Sequence, residues 1–232
     1  MGLRNYSARQ LPVVPAGDGV TLVPVLAREA SHVVMLQRSP TYMLAAPAID
    51  RVALLLRRLL PGRLAYRLTR WKNINFQRLI FRLARNRPKW VRKALADRVQ
   101  AALGPDSDLM KHFKPSYNPW DQRLCLVTDG DLFQAIRSGR VSMVTDEIES
   151  FTEKGLLLKS GEELGADIVV TATGLKPAVL GEVSLSVDGE AVDIARCFTY
   201  RGVMLSDVPN LATVFGYINA SWTLRADLVS EY

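Results

Sequence analysis

The stretch 11-LPVVPAGDGVTLVPVLAREASHVVMLQRSP-40 passes from an apolar segment through a glycine-containing turn into a helix, then into a second apolar segment. That is the order of a βαβ nucleotide-binding unit, in which backbone N–H groups at a helix N-terminus receive the phosphates and the end of the second strand reads the ribose. The helical part, 19-GVTLVPVLAREA-30, carries Val20, Val23 and Leu26 near helical spacing on one face. Pro24 inside it removes one hydrogen bond and kinks the helix. The run 33-VVML-36 is short, branched and continuous, as expected of a strand buried on both faces.

The two ends of this unit disagree about a ligand. The turn at 14–19 does not match G-x-G-x-x-G. Gly17 and Gly19 supply backbone freedom, but Pro15 has no N–H to donate and Asp18 brings negative charge to where a phosphate would sit. The second strand ends in Gln37-Arg38, where an NAD site would carry an acid for the ribose 2′-hydroxyl. An arginine at that place suits a 2′-phosphate, or else simply caps a strand in solvent.

The net charge of +7 conceals an uneven distribution. Between Arg51 and Arg98 there are fifteen Arg or Lys and one acid, Asp97, so the remainder of the chain is mildly acidic. This block, residues 48–103, reads as helical and is punctuated by Pro61-Gly62 and Pro88. Within it Phe76, Leu79, Ile80 and Leu83 line one face while Arg78, Arg82 and Arg85 line another. After a proline-rich loop come a strand 123-RLCLVT-128, a helix 131-DLFQAIRSG-139, a strand 141-VSMVT-145, a hairpin over 148–164 and a buried strand 166-ADIVVTATG-174. The tail holds short strands and turns, with a helix beginning near Ser221. Strands alternating with helices predict an α/β fold with a parallel sheet, interrupted by the basic block as an insertion. Cys125 and Cys197 lack metal-ligand or C-x-x-C spacing and read as two reduced thiols of a cytosolic protein. His32 and His112 sit in no ligand cluster and read as structural. There is no uncharged apolar run long enough to span a membrane.

Read together, 20-VTLVPVLAREASHVVMLQRSPTY-42, 113-FKPSYNPWDQRLCLVTDGDLFQAI-136, 166-ADIVVTATGLKP-177 and 216-GYINASWTLRADLVSE-231 resemble the class B flavoprotein monooxygenases, the Baeyer–Villiger and flavin-containing monooxygenases. The resemblance runs from about Val20 to the last residue. It implies an FAD domain split around an NADPH domain, with FAD and NADPH as cofactors. In that family the reduced flavin captures O2 as a C4a-peroxyflavin, which converts ketones to esters or oxygenates nitrogen or sulfur. The implied division is 1–47, the start of the NADPH-binding domain; 48–112, an arginine-rich helical insert; 113–178, the return of the NADPH-binding domain; and 179–232, part of the FAD domain.

Several positions match the family's site. Arg38, with Ser39 beside it, matches the arginine that receives the 2′-phosphate; Gly17, Gly19 and Thr21 fall in the phosphate turn. Gln122-Arg123 aligns with the basic pair after the proline loop, which makes Arg123 the catalytic arginine near the flavin and Gln122 a cofactor contact, where Baeyer–Villiger members often carry lysine. Thr173 and Gly174 belong to the ATG crossover, and Asn219 and Ser221 to the returning FAD domain. A fixed positive charge suits this chemistry, because arginine does not surrender its proton to an anionic intermediate.

Other features depart from the family. The FAD fingerprint G-x-G-x-x-G and the motif F-x-G-x-x-x-H-x-x-x-W are missing, Val14 and Ala16 stand on the two leading glycines of the NADPH turn, and the first nineteen residues look unlike the family. These departures imply a partial two-dinucleotide-domain flavoprotein, a truncated copy that is weakly active or inactive, with weakened NADPH affinity. The expected partner is a small-molecule ketone, amine or sulfide, with no nucleic acid. A competing reading treats residues 51–98 as a surface for a membrane or another anionic partner, so that the protein is cytoplasmic or membrane-peripheral.

Overall fold

The computed structural model describes residues 10–15, 19–104, 108–122, 124–174, 178–216 and 222–232. The chain divides into two compact units, residues 1–174 and 175–232. In the first, β1 (Gln10–Pro15), α1 (Gly19–Glu29) and β2 (His32–Gln37) form the βαβ unit, β1 and β2 running parallel with Val13 opposite Met35. There follow β3 (Tyr42–Ala46), the helices α2 (Arg51–Leu59), α3 (Gly62–Asn86) and α4 (Pro88–Leu103), and a 3₁₀ turn at Asp108–Phe113. Next come β4 (Leu124–Thr128), α5 (Asp131–Arg137) and β5 (Val141–Thr145). β6 (Ile148–Phe151), β7 (Gly155–Leu158) and β8 (Glu163–Gly165) make an antiparallel meander, and β9 (Val170–Ala172) closes the unit.

The central sheet is parallel throughout, in the order β5-β2-β1-β9. Its second strand explains its own sequence. Val33 and Met35 pack in one cluster with Val20, Val23 and Ala27 of α1 and Leu132, Phe133 and Ile136 of α5. Val34 and Leu36, on the opposite face, join Leu156, Leu158 and Leu164 of the meander. With helices on one side and the meander on the other, every position from Val33 to Gln37 is buried, which is why the run is continuous rather than alternating. Pro24 lies in α1 at a buried position, and the helix continues to Glu29.

β3 and β4 form a separate parallel pair, with Met43 opposite Cys125, and α2 to α4 lie between them in sequence. Pro88 at the first turn of α4 separates it from α3, since a proline there loses no intrahelical bond. Val91 and Leu95 cluster with Tyr42 and Ala84, while Val99 and Leu103 reach the main core.

Two expectations are corrected. The strand expected over 166–174 is three residues long and only half-buried, because β9 is the last strand of its sheet order. The apolar face expected on α3 is packed only at its far end: Leu83 packs against the cluster of Tyr42, Ala84, Val91 and Leu95, whereas Phe76 is 60% and Leu79 53% exposed, and the buried residues of this helix are Ala65 and Ala84.

The second unit contains two short antiparallel ribbons, β10 (Ser186–Val187) with β11 (Glu190–Ala191) and β12 (Thr199–Tyr200) with β13 (Met204–Leu205), and a helix α6 (Trp222–Ser230). Asp188 and Gly189 both take positive φ, the backbone form that suits a two-residue hairpin turn.

Candidate nucleotide site at the carboxyl edge of the sheet

Parallel strands place their carboxyl ends along one edge. Register brings Pro15 opposite Ala172, and Gln37 opposite Thr145, at that edge. The helix α1 starts there with a buried Gly19, and its first turn carries no acid, so the positive end of the helix is not neutralised from within. Thr21 is exposed in the same turn. Arg38 and Ser39 follow β2 directly and are exposed. Thr173 and Gly174 follow β9, also exposed, and Gly174 has φ +92°, a conformation that favours glycine.

The edge thus gathers Gly19, Thr21, Arg38, Ser39, Thr173 and Gly174. Gln122 is exposed in the loop entering β4, on the separate β3–β4 pair. Gly17, Arg123, Asn219 and Ser221 lie outside the described residues.

Beneath Arg38 the edge is polar and tightly bonded. The Gln37 amide nitrogen donates to the carbonyl of His112 at 2.7 Å and to Thr145 Oγ1 at 2.9 Å, and His112 Nδ1 meets the same Oγ1 at 2.7 Å. The Asp146 N–H donates to the Gln37 carbonyl at 3.0 Å. Burial, with a smaller contribution from Lys111, holds the His112 imidazole below its ordinary pKa and so keeps it neutral. Beyond this layer, Lys159 Nζ meets Glu147 Oε2 at 2.5 Å. That contact is the main reason the Glu147 carboxyl is held low, with Arg38 adding to the effect. Asp146 is held low first by the Ser160 side chain and next by the Glu147 N–H, with a smaller contribution from the Ser160 N–H, which donates to its Oδ2 at 3.2 Å. These groups are separated by many residues in sequence, so periodicity alone does not bring them together. His32, at the other end of β2, meets Ser142 Oγ at 2.8 Å, a strand-to-strand contact in keeping with a structural role.

No protein-family model matches the chain. Individual proteins do match. The chain is 51% identical over 230 residues to "Probable FAD-binding monooxygenase AlmA" of Acinetobacter baylyi, covering 98% of this chain and 46% of that protein. It is 50% identical over the same length to the FAD-containing monooxygenase EthA of Mycolicibacterium smegmatis, covering 47% of it. The chain therefore spans about half the length of the curated relatives it matches. Coverage of 98% also corrects the limit set at Val20, because the match reaches well into the first nineteen residues. Among solved structures, a cyclohexanone monooxygenase variant from Rhodococcus sp. Phi1 bound to NADP+ matches with TM-score 0.64 and 16% identity, over 97% of this chain and 51% of that one. An oxidized steroid monooxygenase bound to NADP matches with TM-score 0.52 and 17% identity, over 73% of this chain and 39% of that one. At these identities the structures attest the fold.

Proposed function

We propose that this chain, a relative of the FAD-containing monooxygenases along nearly its whole length, supplies the NADPH-binding part of such an oxidoreductase. The observation that carries the reading is the exposed Arg38 at the carboxyl end of β2, in a parallel βαβ unit whose helix starts with a buried glycine. A 2′-phosphate placed there meets a guanidinium that stays charged, while the pyrophosphate faces the N-terminus of α1. Ser39, Thr21, Gly17 and Gly19 line the same nucleotide, and Thr173-Gly174 carry the chain out of the domain.

FAD is the second cofactor of the reading, and when bound and reduced it supplies the activation of O2. Among the described residues, the βαβ unit of β1, α1 and β2 is the one whose second strand leads directly into Arg38, which suits it to NADPH. This chain's contribution to the flavin side is then Arg123 as a fixed positive charge, Gln122 beside it, and Asn219 and Ser221 in the second unit. The substrate class is a ketone, amine or sulfide. The division at 1–47, 48–112, 113–178 and 179–232 belongs to the same reading.

Titration of the purified chain with NADPH, followed by calorimetry, tests it. Binding is expected in the millimolar rather than micromolar range, because Val14, Pro15 and Ala16 replace the phosphate-cradling glycines. Arg38→Ala should remove the preference for the 2′-phosphate. Micromolar affinity, or a preference untouched by Arg38→Ala, overturns the assignment.

A second reading concerns α2 and α3. Residues 51–86 hold ten Arg or Lys and no acid. Between them stand exposed Leu55, Leu59, Tyr66, Trp71 and Phe76, each more than half accessible. Cations interleaved with exposed aromatic and aliphatic side chains complement an anionic bilayer surface. No described helix is long and apolar enough to cross a membrane. Flotation with phosphatidylglycerol vesicles should carry the chain upward at low salt and release it at high salt, with no flotation on phosphatidylcholine. Salt-insensitive binding, or self-association without flotation, assigns the face elsewhere.

A further inference from the structure

Among the described residues the buried polar side chains are Gln37, 4% exposed, and His112, 6% exposed, and the two are joined to each other. They come from positions 75 residues apart, one at the end of β2 and one in the 3₁₀ turn where the chain returns from the helices. A buried amide left unbonded costs free energy, so the bonds that the Gln37 amide nitrogen makes here hold the two segments in one arrangement.

The bonds form a directed chain. The Gln37 amide has two N–H donors, and both are used, one on the His112 carbonyl and one on Thr145 Oγ1. Thr145 Oγ1, accepting from Gln37, has its own hydroxyl hydrogen to give to His112 Nδ1, which a neutral imidazole can accept. The Gln37 backbone carbonyl accepts from the Asp146 N–H. The last residue of β2 is therefore held by side chain and backbone alike, and Arg38 is the next residue.

We infer that Gln37, Thr145 and His112 form a positioning network that sets the direction in which Arg38 leaves the sheet, and so the protein's preference for a 2′-phosphorylated nucleotide. The inference rests on the reading of this edge as an NADPH site. The three residues bond to one another within the protein. They act through Arg38, and they make its placement depend on the docking of the returning helical segment through His112. An amide at position 37 also keeps a negative charge away from the phosphate, where an acid would repel it.

The test compares NADP+ with NAD+ by calorimetry on the full chain and three variants. Thr145→Val keeps the shape of the side chain and removes the hydroxyl, breaking both bonds to Oγ1. It should lower the NADP+ over NAD+ preference about tenfold, the equivalent of one or two hydrogen bonds, while NAD+ affinity stays unchanged. Thr145→Ser restores the hydroxyl and should restore the preference. Equal weakening of both nucleotides, an unchanged ratio, or failure of serine to rescue overturns the network's role. Arg38→Ala separates the two layers. If it abolishes the preference and Thr145→Val does not, the network fails and the site stands. If it leaves the preference intact, the reading of the site fails and this inference with it.

Discussion

α3 and α4 come from the same arginine-rich stretch and are separated only by Arg87, yet they end in opposite environments. In α4, Val91, Leu95, Val99 and Leu103 recur at every fourth position, and all four are buried at 7% exposure or less. In α3, Tyr66, Trp71, Phe76, Leu79 and Phe81 are spread around the cylinder and remain exposed. An amphipathic pattern states which face can be buried. Whether it is buried depends on an opposing surface, and α4 has one in β3 and the main core.

The contrast has a direct energetic form. Leu95→Ala should cost about 2–5 kcal/mol through lost burial and a cavity. Phe76→Ala should stay within about 0.5 kcal/mol, as for an ordinary surface substitution. Urea denaturation of both variants measures the difference. A cost for Phe76→Ala comparable with that of Leu95→Ala would mean that the α3 face is covered in solution, and the comparison would collapse.

Acid sharpens the contrast by a smaller effect. His112 has a depressed pKa in the folded chain, so the unfolded chain binds its proton more readily, and stability declines as pH falls from about 6.5 toward the folded value. Asp50, which caps α2 through the Val52 and Ala53 N–H groups, is held low first by Lys72, whose Nζ lies 2.6 Å away. Its contribution is present above the ordinary value of 3.8 and is lost as pH falls through the lowered one. Denaturant midpoints should therefore begin to fall between pH 7 and 5, whereas helical circular dichroism from α2 and α3 should hold until well below pH 4. His112→Gln should remove the first decline and leave the second. Loss of helix signal before loss of core stability would contradict this order.

Much of the first unit is legible from residue patterns. β2 announces itself in His32–Gln37 because a strand covered on both faces must be apolar at consecutive positions. The chain from Leu124 to Thr145 reads as strand, helix and strand because each segment carries its own period and its own breaker, Gly130 and Gly139 both having positive φ. The strand near 170 is less legible, since an edge position shortens and exposes it while leaving the apolar composition of 166–174 unchanged. At the candidate site, Arg38 is visible as the residue that follows the second strand. His112 is not, because nothing local distinguishes a histidine that bonds to a distant glutamine from one in solvent.

Local chemistry alone settles the βαβ order, the arginine at the strand end and the concentration of positive charge in residues 51–98, since each depends on neighbours within a few turns or a single strand. Folding in three dimensions settles the rest. It joins Gln37 to His112 and Thr145, and it covers α4 while leaving Tyr66, Trp71, Phe76, Leu79 and Phe81 of α3 exposed. Those outcomes depend on which surfaces meet across tens of residues, and the free energy of such a contact belongs to the pair rather than to either segment.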